Sequence, residues 1–423
     1  MNFAFEETKI NIMSLSKKEL LEKCEELGIN KCKSKNKTQL IELINKKISD
    51  KISEDLRTNE NIELINDEID EQVCENIELI DDETDISKPH ERDEEYLSNF
   101  LKSIRNKNGT YKRICISPLR YAGGKSKAIG LILENLPKLK EKKIVSPFFG
   151  GGSVELCLSQ MLGINVIGYD VFGMLVNFWN VLINHKTEFI NRLINFNITK
   201  EEFTYNRHVL LNYWEKIKPN DLNYKTKNKI ILRNEDLNKL DDDIINQAVY
   251  YYYNMTLSYG PMFLGWPSSN EINEDKFKRK IEKLKEMNFI NLEVNCSSFE
   301  EILENHSEDF LFLDPPYYLE GDSKMFKGMY PNCNFAIHHN NFDHIKLSEL
   351  LKKHEGGFLM TYNNCSRIRN LYSDCKFEYP EWQYTYGQGE TRIGKNRQKT
   401  TNDNIKESHE IIIIKWPNYQ LNK

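Results

Sequence analysis

Residues 142–170 read KKIVSPFFGGGSVELCLSQMLGINVIGYD, and the order of residue types in this stretch decides the fold. An apolar run ending at Val145 reads as a buried strand. The glycines Gly150, Gly151 and Gly152 follow it and open a helix, where the missing side chains let the backbone approach a ligand closely. A second apolar run, INVIGYD, ends in Asp170, eighteen residues beyond Gly152. An acidic residue at that distance from a glycine turn typically accepts hydrogen bonds from ribose hydroxyls, so the pair points to a nucleoside-bearing cofactor. The GxGxxG spacing of a dinucleotide site is absent.

The same texture continues outward. FLFLDPPY, GGFLMTYNN and HEIIIIKW are further apolar runs with amphipathic segments between them. Such alternation predicts a doubly wound α/β sheet of Rossmann type, with ligands at the carboxyl ends of its strands. Between Asn195 and about Asn291 the apolar strands give way to helical, aromatic-rich sequence that includes YYYNMTLSYGPMFLGW. This insert is the natural candidate for a recognition domain, with the run Tyr250 to Tyr253 read as helix core. Upstream, SPLRYAGGKSK ends like a phosphate-binding loop, but Leu119 stands where the leading glycine of that motif belongs, which disfavours a nucleoside triphosphatase.

In FLFLDPPYY an apolar strand ends in Asp314, Pro315, Pro316 and Tyr317. The amine of adenine is a poor nucleophile because its lone pair is delocalised into the ring. The Asp314 carboxylate and the Pro315 carbonyl are suited to accept one N–H each and free that pair, with Tyr317 stacking on the base. A base held so cannot stay inside a duplex, and flipping is the expected route to it. Neither a metal nor a covalent nucleophile is needed, and the chain has no Pro-Cys dipeptide of the kind used against cytosine C5.

Assembled in order, these segments resemble the Dam-like (D12 class) adenine-specific DNA methyltransferases over residues from about 114 to 418. The resemblance implies a Rossmann-like S-adenosylmethionine-dependent methyltransferase sheet with a helical recognition insert. It implies methyl transfer from S-adenosyl-L-methionine to the N6 amine of a flipped adenine in double-stranded DNA. It assigns the cofactor to Tyr121 and Lys125 of the aromatic-Ala-Gly-Gly-Lys segment, to Phe148, Gly150 and Gly152, to Asp170 as ribose contact, and to Phe299 and Asp314. Asp314, Pro315, Pro316 and Tyr317 are its catalytic set, and no metal is implied. Two departures stand out: Ser298 precedes Phe299 where the family has aspartate, and SYGPMFLGWPSS replaces its Asn-Gly-rich loop, so a GATC target does not carry over.

The net charge of −6 divides unevenly into +3 over residues 1–52, −15 over 53–95 and +6 over 96–423. Residues 1–52 resemble a SAP-like helical module, a small all-α DNA-binding unit, with Leu20, Leu21, Leu27, Leu40, Leu43 and Ile44 on its apolar faces. Residues 53–95, in which ENIELI occurs twice, read as an acidic disordered linker. The adenine methyltransferase domain takes the remainder, 96–423. Arg392, Lys395, Arg397 and Lys399 are candidate phosphate contacts, whereas Cys333, His338, His339 and His344 lack a familiar metal-ligand spacing. Nine scattered cysteines without a Cys-x-x-Cys pair suit reduced thiols, and no run approaches the roughly 18 apolar residues of a membrane span. The expectation is an intracellular monomer without a membrane anchor, in cytoplasm or nucleus, or in a viral factory or virion if the source is a virus. A cognate restriction endonuclease is a candidate partner. Two other readings stay open: an RNA or protein-glutamine methyltransferase, and a DNA-binding scaffold that has lost activity.

Overall fold

The computed structural model describes residues 16–17, 19–20, 24, 36–41, 43–44, 94–107, 110–121, 123–139, 142–215, 240, 243–260, 263–318, 342–380 and 410–417. The chain divides into two compact units, Met1–Ile80 and Asp81–Lys423.

In the first unit two reciprocal caps open helical segments. The Ser16 amide donates to Glu19 Oε2 at 2.7 Å while the Glu19 amide donates back to Ser16 Oγ at 3.4 Å. Asn36 and Gln39 repeat the exchange at 3.2 and 2.9 Å. Each box satisfies helix-start donors that would otherwise lack partners. Leu20, Cys24, Leu40 and Ile44 are buried.

Among the described residues the second unit is built on a seven-stranded sheet in the order β3-β2-β1-β4-β5-β7-β6. The strands are β1 (Lys143–Ser146), β2 (Asn165–Asp170), β3 (Leu292–Cys296), β4 (Leu311–Leu313), β5 (Phe358–Asn363), β6 (Lys376–Glu378) and β7 (Glu410–Lys415). The first five pair in parallel, and β7 runs antiparallel between β5 and β6. Strand order reverses between β1 and β4, which touch in register only at Val145↔Leu311. Beyond that pair the strands part, and the crevice at this switch point is where an open α/β sheet binds its ligand. The strands expected from the apolar runs are all present. The two that sequence reading did not mark, β3 and β6, lie at the sheet edges.

Among the described residues the helices are α1 (Glu94–Ile104), α2 (Ile129–Glu134), α3 (Ser153–Leu156), α4 (Gly173–Asn184), α5 (Lys186–Leu193), α6 (Lys200–Glu215), α7 (Ile244–Leu257), α8 (Glu274–Glu286), α9 (Phe299–Asn305), α10 (His344–Lys353) and α11 (Ser366–Leu371), with a π-helical turn, Cys157–Met161, following α3. One face of the sheet, through Leu313, Met360, Tyr362, Ile411 and Ile413, packs on Ile302, Leu347 and Ile368 from α9, α10 and α11. Between β2 and β3 the described residues carry helices α4 to α8 and the loop after α7. There Asp243 caps α7 by accepting from the amides of Ile245 and Asn246, and Arg192 pairs with the same carboxylate. Tyr251, Tyr252 and Tyr253 are buried on α7, with the Tyr252 ring stacked on Phe178 of α4 at 5.7 Å, so these three are helix core as the pattern predicts, while Tyr250 is half-buried. No helix among the described residues is long and apolar enough to cross a membrane.

Candidate active site

The site forms where β1, β2 and β4 end. Backbone bonds tie the glycine turn after β1 to its neighbours: the Phe149 amide donates to Tyr169 O at 2.8 Å and the Gly152 amide to Phe149 O at 2.9 Å. Trp179 of α4 donates its indole N–H to Gly150 O at 3.1 Å. Gly150 and Gly152 hold φ of +50° and +67°, conformations that L side chains rarely adopt. The Tyr121 ring lies against Gly150 and Gly151, so closely that a Cβ at Gly150 would stand 2.9 Å from Tyr121 Cε1.

Asp170 closes β2 beside this turn. Its Oδ2 accepts from the Gly150 amide at 3.0 Å and its Oδ1 from the Phe172 amide at 2.9 Å. An acceptor-only carboxylate held at a strand end by two backbone donors is the group a ribose diol requires. Phe148, Phe299 and Phe342 pack together, tilted and edge-on, with ring centroids 5.3 to 5.9 Å apart, forming an apolar cluster. Ser298 serves as the N-cap of α9 and accepts from the Glu301 amide. Acidic, apolar and glycine-backbone elements together fit a nucleoside-bearing group.

Asp314 follows β4. Lys125 Nζ donates to Asp314 Oδ2 at 2.7 Å, and Thr361 Oγ1 of β5 donates to Asp314 Oδ1 at 2.6 Å. Lys125 is only 4% exposed, and its ammonium also donates to Gly123 O at 2.9 Å. A buried ammonium needs such partners because desolvation penalises an isolated charge. The aspartate is thus held from both sides in a fixed plane, and each carboxylate oxygen has acceptor capacity for a second donor. Tyr317 stacks on Tyr362 of β5 at 5.7 Å with 22° between the planes, and Lys125 Nζ stands 5.1 Å above the Tyr317 ring. His344 Nδ1 and the Tyr362 hydroxyl are hydrogen-bonded, and burial pushes the His344 imidazole down to about 4. That imidazole is neutral at physiological pH.

Behind the pair lies Glu155 of α3, buried, with Ser146 Oγ donating to its Oε1 at 2.6 Å. Burial pushes the Glu155 carboxyl up to about 7; the Ser146 hydrogen bond opposes the shift, the Asp314 charge adds to it and Lys125 works against it.

Every residue expected at the site from sequence lies on a described segment, and Tyr121, Lys125, Gly150, Asp170, Asp314 and Tyr317 gather at one end of the sheet. The position of Lys125 is the informative difference: the resemblance assigned it to the cofactor, and its ammonium lies on the Asp314 carboxylate. No sequence motif marks Thr361, Glu155, Asn363 or Glu410. Thr361 and Asn363 sit inside the quoted FLMTYNN run, but only strand pairing brings Thr361 to Asp314. Arg392, Lys395, Arg397, Lys399, Cys333, His338 and His339 lie outside the described residues.

In the helical region, Ser258 and Pro267 form a bridge that closes a loop, with the Tyr259 amide donating to Trp266 O at 2.7 Å. Arg207 donates to the carbonyls of Leu264 and Gly265 and lies 4.6 Å from the Trp266 ring. Arg120, next to Tyr121, donates to Ser258 O at 3.0 Å and pairs with Glu271 at 3.5 Å. Tyr259 and Trp266 remain 44% and 53% exposed.

A family model described as D12 class N6 adenine-specific DNA methyltransferase matches residues 121–387. The Type II methyltransferase M.MjaIII of Methanocaldococcus jannaschii is 29% identical over 260 residues, which cover 58% of this chain and 83% of that relative.

Proposed function

We propose, from the premise that this chain belongs to the D12 class of N6 adenine-specific DNA methyltransferases, a division of labour among its own residues. The family sets the reaction as methylation of adenine N6 in double-stranded DNA with S-adenosylmethionine as donor. When bound, that cofactor supplies a methyl group on a sulfonium, whose C–S bond breaks as the new C–N bond forms and leaves its electron pair on sulfur.

The observation that carries the assignment is the Asp314 carboxylate, held between Lys125 and Thr361 with Tyr317 beside it at the switch point. Asp314 and the Pro315 carbonyl each accept one N6–H, which turns the nitrogen lone pair toward the methyl group. Asp314, already hydrogen-bonded to that nitrogen, receives the proton that N6 sheds once it carries the methyl. Tyr317 stacks on the extruded base. Asp170 would take the ribose hydroxyls, the turn at Gly150 and Gly152 would give the cofactor room beside the backbone, and Phe148 and Phe299 would hold its adenine. The loop presenting Tyr259 and Trp266 faces the DNA, its base anchored by Arg120 beside the cofactor segment. A cognate restriction endonuclease, monomeric action and an intracellular location belong to the same reading; the relative M.MjaIII is itself named a Type II methyltransferase.

Unmethylated genomic DNA incubated with labelled S-adenosylmethionine should yield labelled N6-methyladenine on nucleoside analysis. Mapping the modified positions would give the target sequence. 2-Aminopurine placed at the target adenine should then brighten on binding, as an unstacked base does. Label appearing only in RNA or protein would overturn the substrate assignment.

Residues 1–52 as a SAP-like DNA-binding module and 53–93 as a tether complete the proposal, the tether ending short of the expected 95 because α1 begins at Glu94. Tyr96 of α1 donates to Met161 O at 3.1 Å and Phe100 is buried, so a clean truncation ends before α1. Deleting residues 1–93 should weaken non-specific DNA binding, measured by salt-dependent retention on DNA, while kcat at saturating DNA stays within about twofold. Loss of all turnover would place part of the catalytic unit in the deleted segment.

A further inference from the structure

Pro315 and Pro316 have no N–H, so the loop that leaves β4 offers no backbone donor between Asp314 and Tyr317. A loop that must hold an acceptor and an aromatic ring in fixed relation therefore needs ties from elsewhere. The ties come from one register pair of the sheet, Asn363 at the end of β5 and Glu410 at the start of β7. Asn363 Oδ1 accepts from the Tyr318 amide at 2.9 Å and its Nδ2 donates to Tyr318 O at 3.0 Å, clamping the backbone just past the tetrapeptide. Glu410 Oε2 accepts from the Tyr317 hydroxyl at 2.5 Å.

Glu410 is an unusual residue for its place. It heads the strand EIIIIK, where every neighbour along β7 up to Ile414 is buried isoleucine, and it is itself only 2% exposed. An apolar side chain would fill that position without the cost of taking a carboxyl out of water. The carboxyl reaches Tyr317, whose ring stacks on Tyr362 and lies 5.1 Å from the Lys125 ammonium.

We infer that Glu410 is a positioning residue for methyl transfer, acting through the Tyr317 hydroxyl to fix the ring that stacks on the target base. The inference rests on the assignment of Tyr317 as that ring. Two effects follow from the contact. The phenol can no longer rotate or withdraw, so the stacking plane exists before the base arrives. Donation of the O–H to a carboxyl oxygen also moves electron density into the ring, and an electron-rich face attracts positive charge. The N6 nitrogen gains positive charge as its C–N bond forms, so the contact favours the transition state more than the bound base.

The test compares wild type, Glu410→Gln, Tyr317→Phe and the double variant, with cofactor-competent sites titrated in each. Tyr317→Phe removes the hydrogen bond and should lower kcat by about tenfold or more, while Glu410→Gln exchanges the carboxyl acceptor for a weaker amide one and should lower kcat by a smaller factor, with KM for DNA and cofactor moving much less in both. The double variant should be no slower than the slower single, because Glu410 has nothing left to act through. Effects that multiply in the double variant would overturn the inference, since residues acting independently add in free energy. So would wild-type kcat in Glu410→Gln, or a loss confined to melting temperature with kcat per competent site unchanged. Wild-type kcat in Tyr317→Ala would instead refute the stacking role of Tyr317, leaving the Glu410 contact a structural one.

Discussion

Asp314→Ala is expected to lower the rate of methyl transfer by at least about a thousandfold, the scale of losing a preorganised polar partner at the reacting atom. The change removes the acceptor for one N6–H and the site for the departing proton together. It also strands Lys125. That ammonium is 4% exposed and bonded to Asp314 at 2.7 Å, and breaking a buried pair leaves a charge without its counterpart. A stability loss of about 3 kcal/mol, toward the lower end because Asp314 itself is partly exposed, should therefore accompany the catalytic loss. Asp314→Asn separates the two. It keeps an acceptor oxygen and the shape while removing the charge, so its rate should lie between wild type and Asp314→Ala. Single-turnover transfer of labelled methyl, with thermal melts of each variant, measures both effects. Turnover of Asp314→Ala within tenfold of wild type would remove Asp314 from the centre of the mechanism.

Gly152→Val should nearly eliminate cofactor binding, and the structure shows by which route. A side chain at 152 does not point into open space. Its Cβ would stand 2.8 Å from Phe149 Cε1 and 3.1 Å from Trp179 Cζ2. Phe149 and Trp179 are buried and pack edge to face at 5.1 Å, so neither has room to yield. Strain from the left-handed backbone adds to the clash, at about 1–2 kcal/mol for a residue with a Cβ. The turn must move, and Gly150 moves with it, along with its amide bond to Asp170. Equilibrium binding of S-adenosylmethionine should weaken by about a hundredfold or more, corresponding to roughly 3 kcal/mol. Gly173→Ala is the control, because a Cβ there meets nothing within 4 Å. Cofactor binding by Gly152→Val at wild-type affinity would show that the turn does not form the cradle.

What could be read in advance had a physical reason to be local. Strands β1, β2, β4, β5 and β7 lie inside the sheet or open the site, so they are apolar runs that stand out in a chain rich in charge. The edge strands escaped. In β3, Leu292 and Val294 point inward while Glu293 and Asn295 face out, and β6 is only Lys376, Phe377 and Glu378. Edge strands carry polar side chains for good reason, and those side chains hide them. At the site, the residues proposed to meet a ligand stand out by type and order, as Asp314 to Tyr317 do. The residues that hold them do not. Lys125 and Asp314 stand 189 positions apart, and Tyr317 and Glu410 stand 93 apart. Glu410 reads in the sequence as a solvated charge at a strand end. Only the β5–β7 register turns it inward.

The placement of β7 has a consequence for how the protein is made. It enters the sheet between β5 and β6, although the ribosome delivers it after both. During synthesis β5 therefore waits with an unpaired edge of buried, apolar residues, and β6 has no neighbour to bind. Such an edge is a site for association with other nascent chains or for capture by chaperones. Because the last strand also brings Glu410, a chain interrupted before residue 410 would keep the Asn363 clamp on Tyr318 but leave the Tyr317 hydroxyl without its acceptor.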